Sequence, residues 1–99
     1  MSLRPFLDLY RDKDRAFAGM PEVQFRILLD LAENGERDTT GLAMLCGAPQ
    51  TTALRHLGDL HSVGLIERAS DPMDRRKTIY RLTESGAERM AHFASRLAA

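Results

Sequence analysis

Residues 49–82 read PQTTALRHLGDLHSVGLIERASDPMDRRKTIYRL, and the order of signals in this stretch decides the fold. Pro49 stands where a helix begins, and Ala53, Leu57 and Leu60 recur at the spacing of one helical face. Gly64 ends that helix. Leu65-Ile66-Glu67-Arg68 and Thr78-Ile79-Tyr80-Arg81-Leu82 then alternate polar with apolar residues and are rich in β-formers. Between them, Ser70-Asp71-Pro72-Met73-Asp74-Arg75-Arg76 supplies turn residues and then positive charge. The two strands therefore form a hairpin with a long, charged tip.

Upstream, Asp38, Thr39 and Thr40 offer caps for a short helix over Leu42, Ala43, Leu45 and Cys46. Gly47-Ala48-Pro49 joins it tightly to the next, and two short helices about so small a turn read as a helix-turn-helix. Before them, Met20-Pro21 opens a helix that runs to about Glu33 and is closed by Asn34-Gly35. With Val23, Phe25, Ile27, Leu28, Leu29, Leu31 and Ala32 it is apolar on more than one side, and it is expected to be the most buried element. Residues 3–18 form a first helix, with Leu3, Phe6, Leu7, Tyr10 and Phe17 in one stripe and Arg4, Asp8, Arg11, Asp12 and Arg15 opposite. Thr83 caps a last helix that carries Ala87, Met90, Ala91, Ala94 and Leu97 on one face. The expected fold is mainly α with a small β-hairpin, in the order α-α-α-α-β-β-α. It is a single winged helix-turn-helix domain over residues 1–99, with the helix-turn-helix at 38–62 and the wing at 65–82.

A chain of 99 residues suits one domain with a modest core. No apolar run approaches the ~20 residues of a membrane span, and the N-terminus lacks the long apolar stretch of a signal peptide. One cysteine, Cys46, forms no internal disulfide, so a cytoplasmic protein with no membrane partner is expected. The formal net charge is 0, from 14 basic and 14 acidic residues, which on its face argues against a nucleic-acid partner. Along the chain the charge is uneven. Residues 1–48 hold six basic against eight acidic side chains, residues 49–82 six against four, and residues 83–99 two against two. The helix and hairpin are thus the basic part, and Arg75-Arg76-Lys77 is the densest cationic run.

With Ala53, Leu57 and Leu60 turned inward, Thr51, Thr52, Arg55, Gly58 and Asp59 face outward, and Leu54 and His61 lie on a flank. Hydroxyls and an arginine near a helix N-terminus suit the major groove, where arginine can grip guanine O6 and N7. Gln50, Thr51, Thr52, Arg55 and His56 are therefore expected to contact DNA from the helix, and Arg75, Arg76 and Lys77 from the hairpin. An arginine at a hairpin tip can enter a narrow minor groove, where the potential is most negative. Asp71 and Asp74 are expected to stabilise the wing by pairing with the arginines.

Gly64-Leu65-Ile66-Glu67-Arg68, then Asp71-Pro72-Met73-Asp74-Arg75-Arg76, then Leu82-Thr83-Glu84-Ser85-Gly86 resemble the wing signature of MarR-family winged-helix transcription regulators. That signature is a GLIxR strand, a DPxDRR tip and an LTxxG helix start. Gln24-Phe25-Arg26-Ile27-Leu28 resembles the family's second helix, and Thr52-Ala53-Leu54-Arg55 with Leu57 and Leu60 resembles its recognition helix. The likeness covers roughly residues 20–90. It implies a homodimer that binds double-stranded DNA at a pseudo-palindromic site, expected to be a repressor. Recognition helices would enter adjacent major grooves and wing arginines the flanking minor grooves. By position, Thr51, Thr52 and Arg55 carry over to the helix contacts and Arg75 and Arg76 to the wing, one touching DNA and the other pairing with an aspartate. Leu54 departs from the family, which often has threonine there, as does Gly58 on the exposed side. Family members commonly carry longer terminal helices that interlock into the dimer. Their effector pocket lies between those helices and the DNA-binding lobe, and any small-molecule effector of this chain is unknown.

His56, His61, His92 and Cys46 have no ligand spacing, so neither a metal nor a cofactor is expected. Cys46 reads as a small core residue. No Ser/His/Asp arrangement, phosphate loop or paired carboxylates occur in context, and no catalytic residue is expected. The stripes Leu3/Phe6/Leu7/Tyr10 and Met90/Phe93/Leu97 lie on terminal helices, at 1–18 and 83–99, and are expected to form a dimer seam. The alternative reading is a winged-helix protein-interaction module that does not bind DNA.

Overall fold

Pro5, Pro21 and Pro49 each stand in the first turn or at the N-cap of a helix, where their missing N–H costs nothing. The resulting elements are α1 (Arg4–Ala16), α2 (Glu22–Asn34), β1 (Arg37–Asp38), α3 (Thr39–Cys46), α4 (Gln50–Ser62), β2 (Ile66–Ser70), β3 (Thr78–Leu82) and α5 (Glu84–Ala98). The computed structural model describes residues 1–98, so Ala99 of the last helix expected from sequence lies outside the described residues. Asp38 caps α3, its Oδ1 accepting from the Gly41 N–H at 2.7 Å. Gly47 takes φ +63°, a left-handed conformation that most side chains avoid, and so allows the short turn into α4.

The sheet has the order β1-β3-β2 and is antiparallel throughout. The hairpin register sets Ile66 opposite Leu82, Arg68 opposite Tyr80 and Ser70 opposite Thr78. Strand β1, with Arg37 opposite Tyr80 and Asp38 opposite Ile79, is an addition to the expected order. Two polar residues carry no alternating pattern, and long-range pairing makes them a strand.

The core is gathered around α2, whose Gln24, Phe25, Ile27, Leu28 and Leu31 are buried. Ile27, Leu28, Leu42, Leu57, Leu60 and Ile66 are the largest fully buried side chains, and they come from four elements of the winged helix. Phe17, Phe25 and Phe93 meet at ring-centroid distances of 5.2, 6.0 and 5.3 Å in tilted and edge-on geometries. Arg89 lies over the Phe17 ring and donates to the Ala16 carbonyl, and Arg96 reaches Asp12 at 3.5 Å, so α5 is clamped to the end of α1.

That packing corrects the expected seam. Met90 and Phe93 are 5% and 2% exposed, taken up by their own chain because α5 lays this face on α1 and α2. Phe17 likewise leaves the α1 stripe for the core, as the helix ends at Ala16. Leu3, Phe6, Leu7 and Tyr10 stay exposed at 53–64%, and Leu97 at 49%.

Candidate nucleic-acid interface

Helix α4 buries Ala53, Leu57 and Leu60 and exposes Gln50, Thr51, Leu54, Arg55, Gly58 and Asp59, with Thr52 half-buried. The side chain of Arg55 makes no ion pair among the described residues. A Cβ added at Gly58 meets nothing within 4 Å, so no neighbour within the chain demands glycine there.

His56 does not share that exposed face. Its Nδ1 lies 3.1 Å from the Gln24 Nε2, and the same amide donates to Asp59 Oδ2 at 3.1 Å. One and four residues before Leu57 and Leu60, position 56 turns toward α2, which sets this expected DNA contact apart from the outward face of Thr51 and Arg55. Gln24 is the one buried polar side chain among the described residues, and its two bonds fasten α4 to α2.

The hairpin tip is shaped by its own backbone. Asp71 N–H donates to the Lys77 carbonyl and Lys77 N–H to the Asp74 carbonyl, both at 2.9 Å. Asp71 Oδ1 accepts from Met73 N–H at 2.8 Å, and Asp74 Oδ1 from Arg76 N–H at 3.1 Å. Asp74 also pairs with Arg76 Nε at 3.2 Å. The Arg76 guanidinium, followed by the Arg76 N–H, holds the Asp74 carboxyl below the usual carboxylate range. Its contribution is present above the ordinary carboxylate pKa and is lost as pH falls through the lowered one. The expected pairing of Asp71 with an arginine is corrected, because its carboxylate serves the turn instead. Arg75 is exposed and has no ion-pair partner among the described residues.

Between the first turns of α4 and the wing lies a cleft of about 460 Å³. Its helical wall is Asp38, Thr39, Thr40, Gln50 and Leu54; its sheet wall is Arg68, Thr78 and Tyr80, with Arg76 and Lys77 toward the tip. Helix α4 and the hairpin thus border one open space. Arg68 and Tyr80 had been legible only as strand residues, and their strand alternation with Ile66 and Leu82 is the signal that places them together on this wall.

On the far side of the hairpin Glu67 and Arg81 neutralise each other at 2.8 Å. Cys46 is half-buried, and burial pushes its thiol pKa up, against the pattern of a reactive thiolate. Among the described residues no three His, Cys, Asp or Glu side chains gather as metal ligands, and no helix is long and apolar enough to cross a membrane.

A sequence profile described as MarR family matches residues 18–77. No curated protein matches the sequence significantly. Among solved structures, a protein of Mycobacterium tuberculosis superposes with TM-score 0.88 at 22% identity, over 96% of this chain and 65% of that one. A transcriptional regulator of Thermotoga maritima gives TM-score 0.78 at 25% identity, over 96% and 74%. The overoxidized form of AbfR bound to DNA gives 0.73 at 23% identity, over 96% and 69%.

Proposed function

The chain belongs to the MarR family, and we propose that it works as a sequence-specific, double-stranded DNA-binding transcription regulator, a dimeric repressor acting in the cytoplasm. One observation carries this reading. The exposed N-terminal half of α4 and the arginine-bearing wing tip flank a single cleft, so both can engage one duplex at once. The overoxidized AbfR structure, which shares this fold, is bound to DNA, and this supports a DNA partner here. Arg76 braces Asp74 while Arg75 stays unpaired, which favours Arg75 as the arginine that enters the minor groove. Thr51, Thr52 and Arg55 take the major groove, with Gln50 beside them.

Enrichment of a randomised duplex pool on the protein tests the reading. It should yield a consensus with two-fold symmetry; a pool that stays random, with the protein retained only by other proteins, would replace DNA with a protein partner. On the enriched duplex, Arg55→Ala should cost about 1–3 kcal/mol and relax the preference at one symmetric pair of positions. An Arg55→Ala protein that keeps its base preference would remove Arg55 from the reading set.

The dimer is proposed to form through the exposed face of α1, Leu3, Phe6, Leu7 and Tyr10, together with Leu97. So many large apolar side chains exposed on one short helix are unusual for a monomer. Phe6→Glu with Leu7→Glu should convert a dimer into a monomer in light scattering without loss of helical signal. A double variant that remains dimeric would place the seam elsewhere.

A further inference from the structure

A duplex engaged by α4 in the major groove and by the wing in the neighbouring minor groove must pass one strand's backbone between them. In this protein the space between them is the 460 Å³ cleft. We propose that the cleft seats a backbone phosphate of that strand, held by Arg68, Lys77 and the Tyr80 hydroxyl. The inference rests on the DNA-binding reading and extends it to residues that neither the helix face nor the wing tip would nominate.

The electrostatics select an anion. Three cations line the cleft, Arg68, Arg76 and Lys77, against one carboxylate, Asp38. Asp38 spends Oδ1 on the Gly41 N–H, and Arg76 is held by Asp74. Among the described residues the side chains of Arg68 and Lys77 bond to nothing in the protein, although Arg81, on the opposite face of the same hairpin, is paired with Glu67. The unpaired cations are thus on the cleft side.

Tyr80 is the independent sign. It is 4% exposed, its ring belongs to the core, and it also lines the cleft. Its hydroxyl has no hydrogen-bond partner among the described residues. Because no buried side-chain oxygen or nitrogen among the described residues lacks a partner, this hydroxyl is not sealed in the core but opens on the cleft, where its acceptor must come from outside the protein. A phosphate oxygen resting against Arg68, directly opposite Tyr80 in the register, supplies it. The hydroxyls of Thr39, Thr40 and Thr78 complete a wall of donors, which suits phosphate oxygens better than the mixed edge of a base.

Anisotropy titrations over a salt series test this, on the enriched duplex. Arg68→Ala should flatten the slope of log K against log salt by about 0.9 for each protomer bound, the loss of one neutralised phosphate. Arg81→Ala removes the same charge from the other face and should leave the slope unchanged. Tyr80→Phe keeps the ring in the core, so its melting temperature should hold while its affinity falls several-fold. A neutral methylphosphonate placed along the strand should weaken wild-type binding about tenfold at one position per half-site, and Arg68→Ala should abolish that penalty. If Arg68→Ala and Arg81→Ala share the wild-type slope and Tyr80→Phe binds normally, the cleft holds no phosphate even though the protein binds DNA. If the wild-type protein binds no duplex at all, the DNA reading itself falls, and the phosphate seat with it.

Discussion

Replacing Arg75 and Arg76 together with alanine is expected to weaken binding to the enriched duplex by a factor of roughly 10² to 10⁴ while leaving the protein folded, with the melting temperature lowered only slightly by loss of the exposed Arg76–Asp74 pair. An arginine that meets an anionic partner is worth roughly 1.5–3 kcal/mol, so losing Arg75 from both protomers of a dimer gives roughly 3–6 kcal/mol. Their removal has little to disturb in the fold. Both side chains are exposed, and the tip is closed by main-chain bonds from Asp71 to Lys77 and from Lys77 to Asp74. The single variants should divide unequally. Arg75 is unpaired and acts through DNA, whereas Arg76 also braces Asp74, so Arg76→Ala additionally loosens the loop. Titration by anisotropy alongside a thermal melt measures both effects. Unaltered affinity in the double variant would strip the wing of its role.

Gly86→Ala is expected to cost about 3 kcal/mol or more, which lowers the melting temperature of a domain this size by roughly 12–24 °C. The reason is a close approach rather than a special dihedral. A Cβ at Gly86 would lie 2.1 Å from the Leu65 carbonyl oxygen and 3.0 Å from its carbon. That carbonyl has no freedom to retreat, because it accepts the Thr83 N–H at 3.1 Å. The Thr83 hydroxyl donates to the Gly64 carbonyl at 2.6 Å and accepts from the Gly86 N–H at 3.0 Å. Leu82-Thr83-Glu84-Ser85-Gly86 is therefore a stitch that fixes the start of α5 to the turn between α4 and β2. Ser85→Ala, exposed in the same turn, is the control and should melt like the wild type. A Gly86→Ala protein as stable as that control would refute the clash.

The helices and the hairpin were legible because their signals are local. Proline starts, glycine stops, the spacing of Ala53, Leu57 and Leu60, and the alternation in residues 78–82 all lie within one element. What escaped depends on partners distant in sequence. Strand β1 exists because Arg37 meets Tyr80, 43 positions later, and nothing in Arg37-Asp38 announces it. The stripe Met90/Phe93/Leu97 correctly marked an apolar face, but a stripe does not say what covers it. Phe17 and Phe25 cover Phe93 within the chain, and Leu97 stays out. At the site, Thr51, Arg55 and Arg75 could be nominated from position alone. The turn of His56 toward Gln24, the use of Asp71 by the loop backbone, and the meeting of Arg68 with Tyr80 required the packed helices and the register of the hairpin.

The overall charge of zero is consistent with a DNA-binding surface once the charges are placed. Carboxylates that could oppose DNA at the wing are spent within the protein: Asp74 on Arg76, Asp71 on the turn and Glu67 on Arg81. The account therefore stands on one titration. Wild-type protein is mixed with a fluorescent duplex from the enriched pool, and the affinity is followed from about 50 to 200 mM salt. The prediction is saturable binding whose log K falls linearly with log salt, with a randomised duplex of equal length bound far more weakly. No binding at the lowest salt, or an affinity indifferent to salt and sequence, would contradict it.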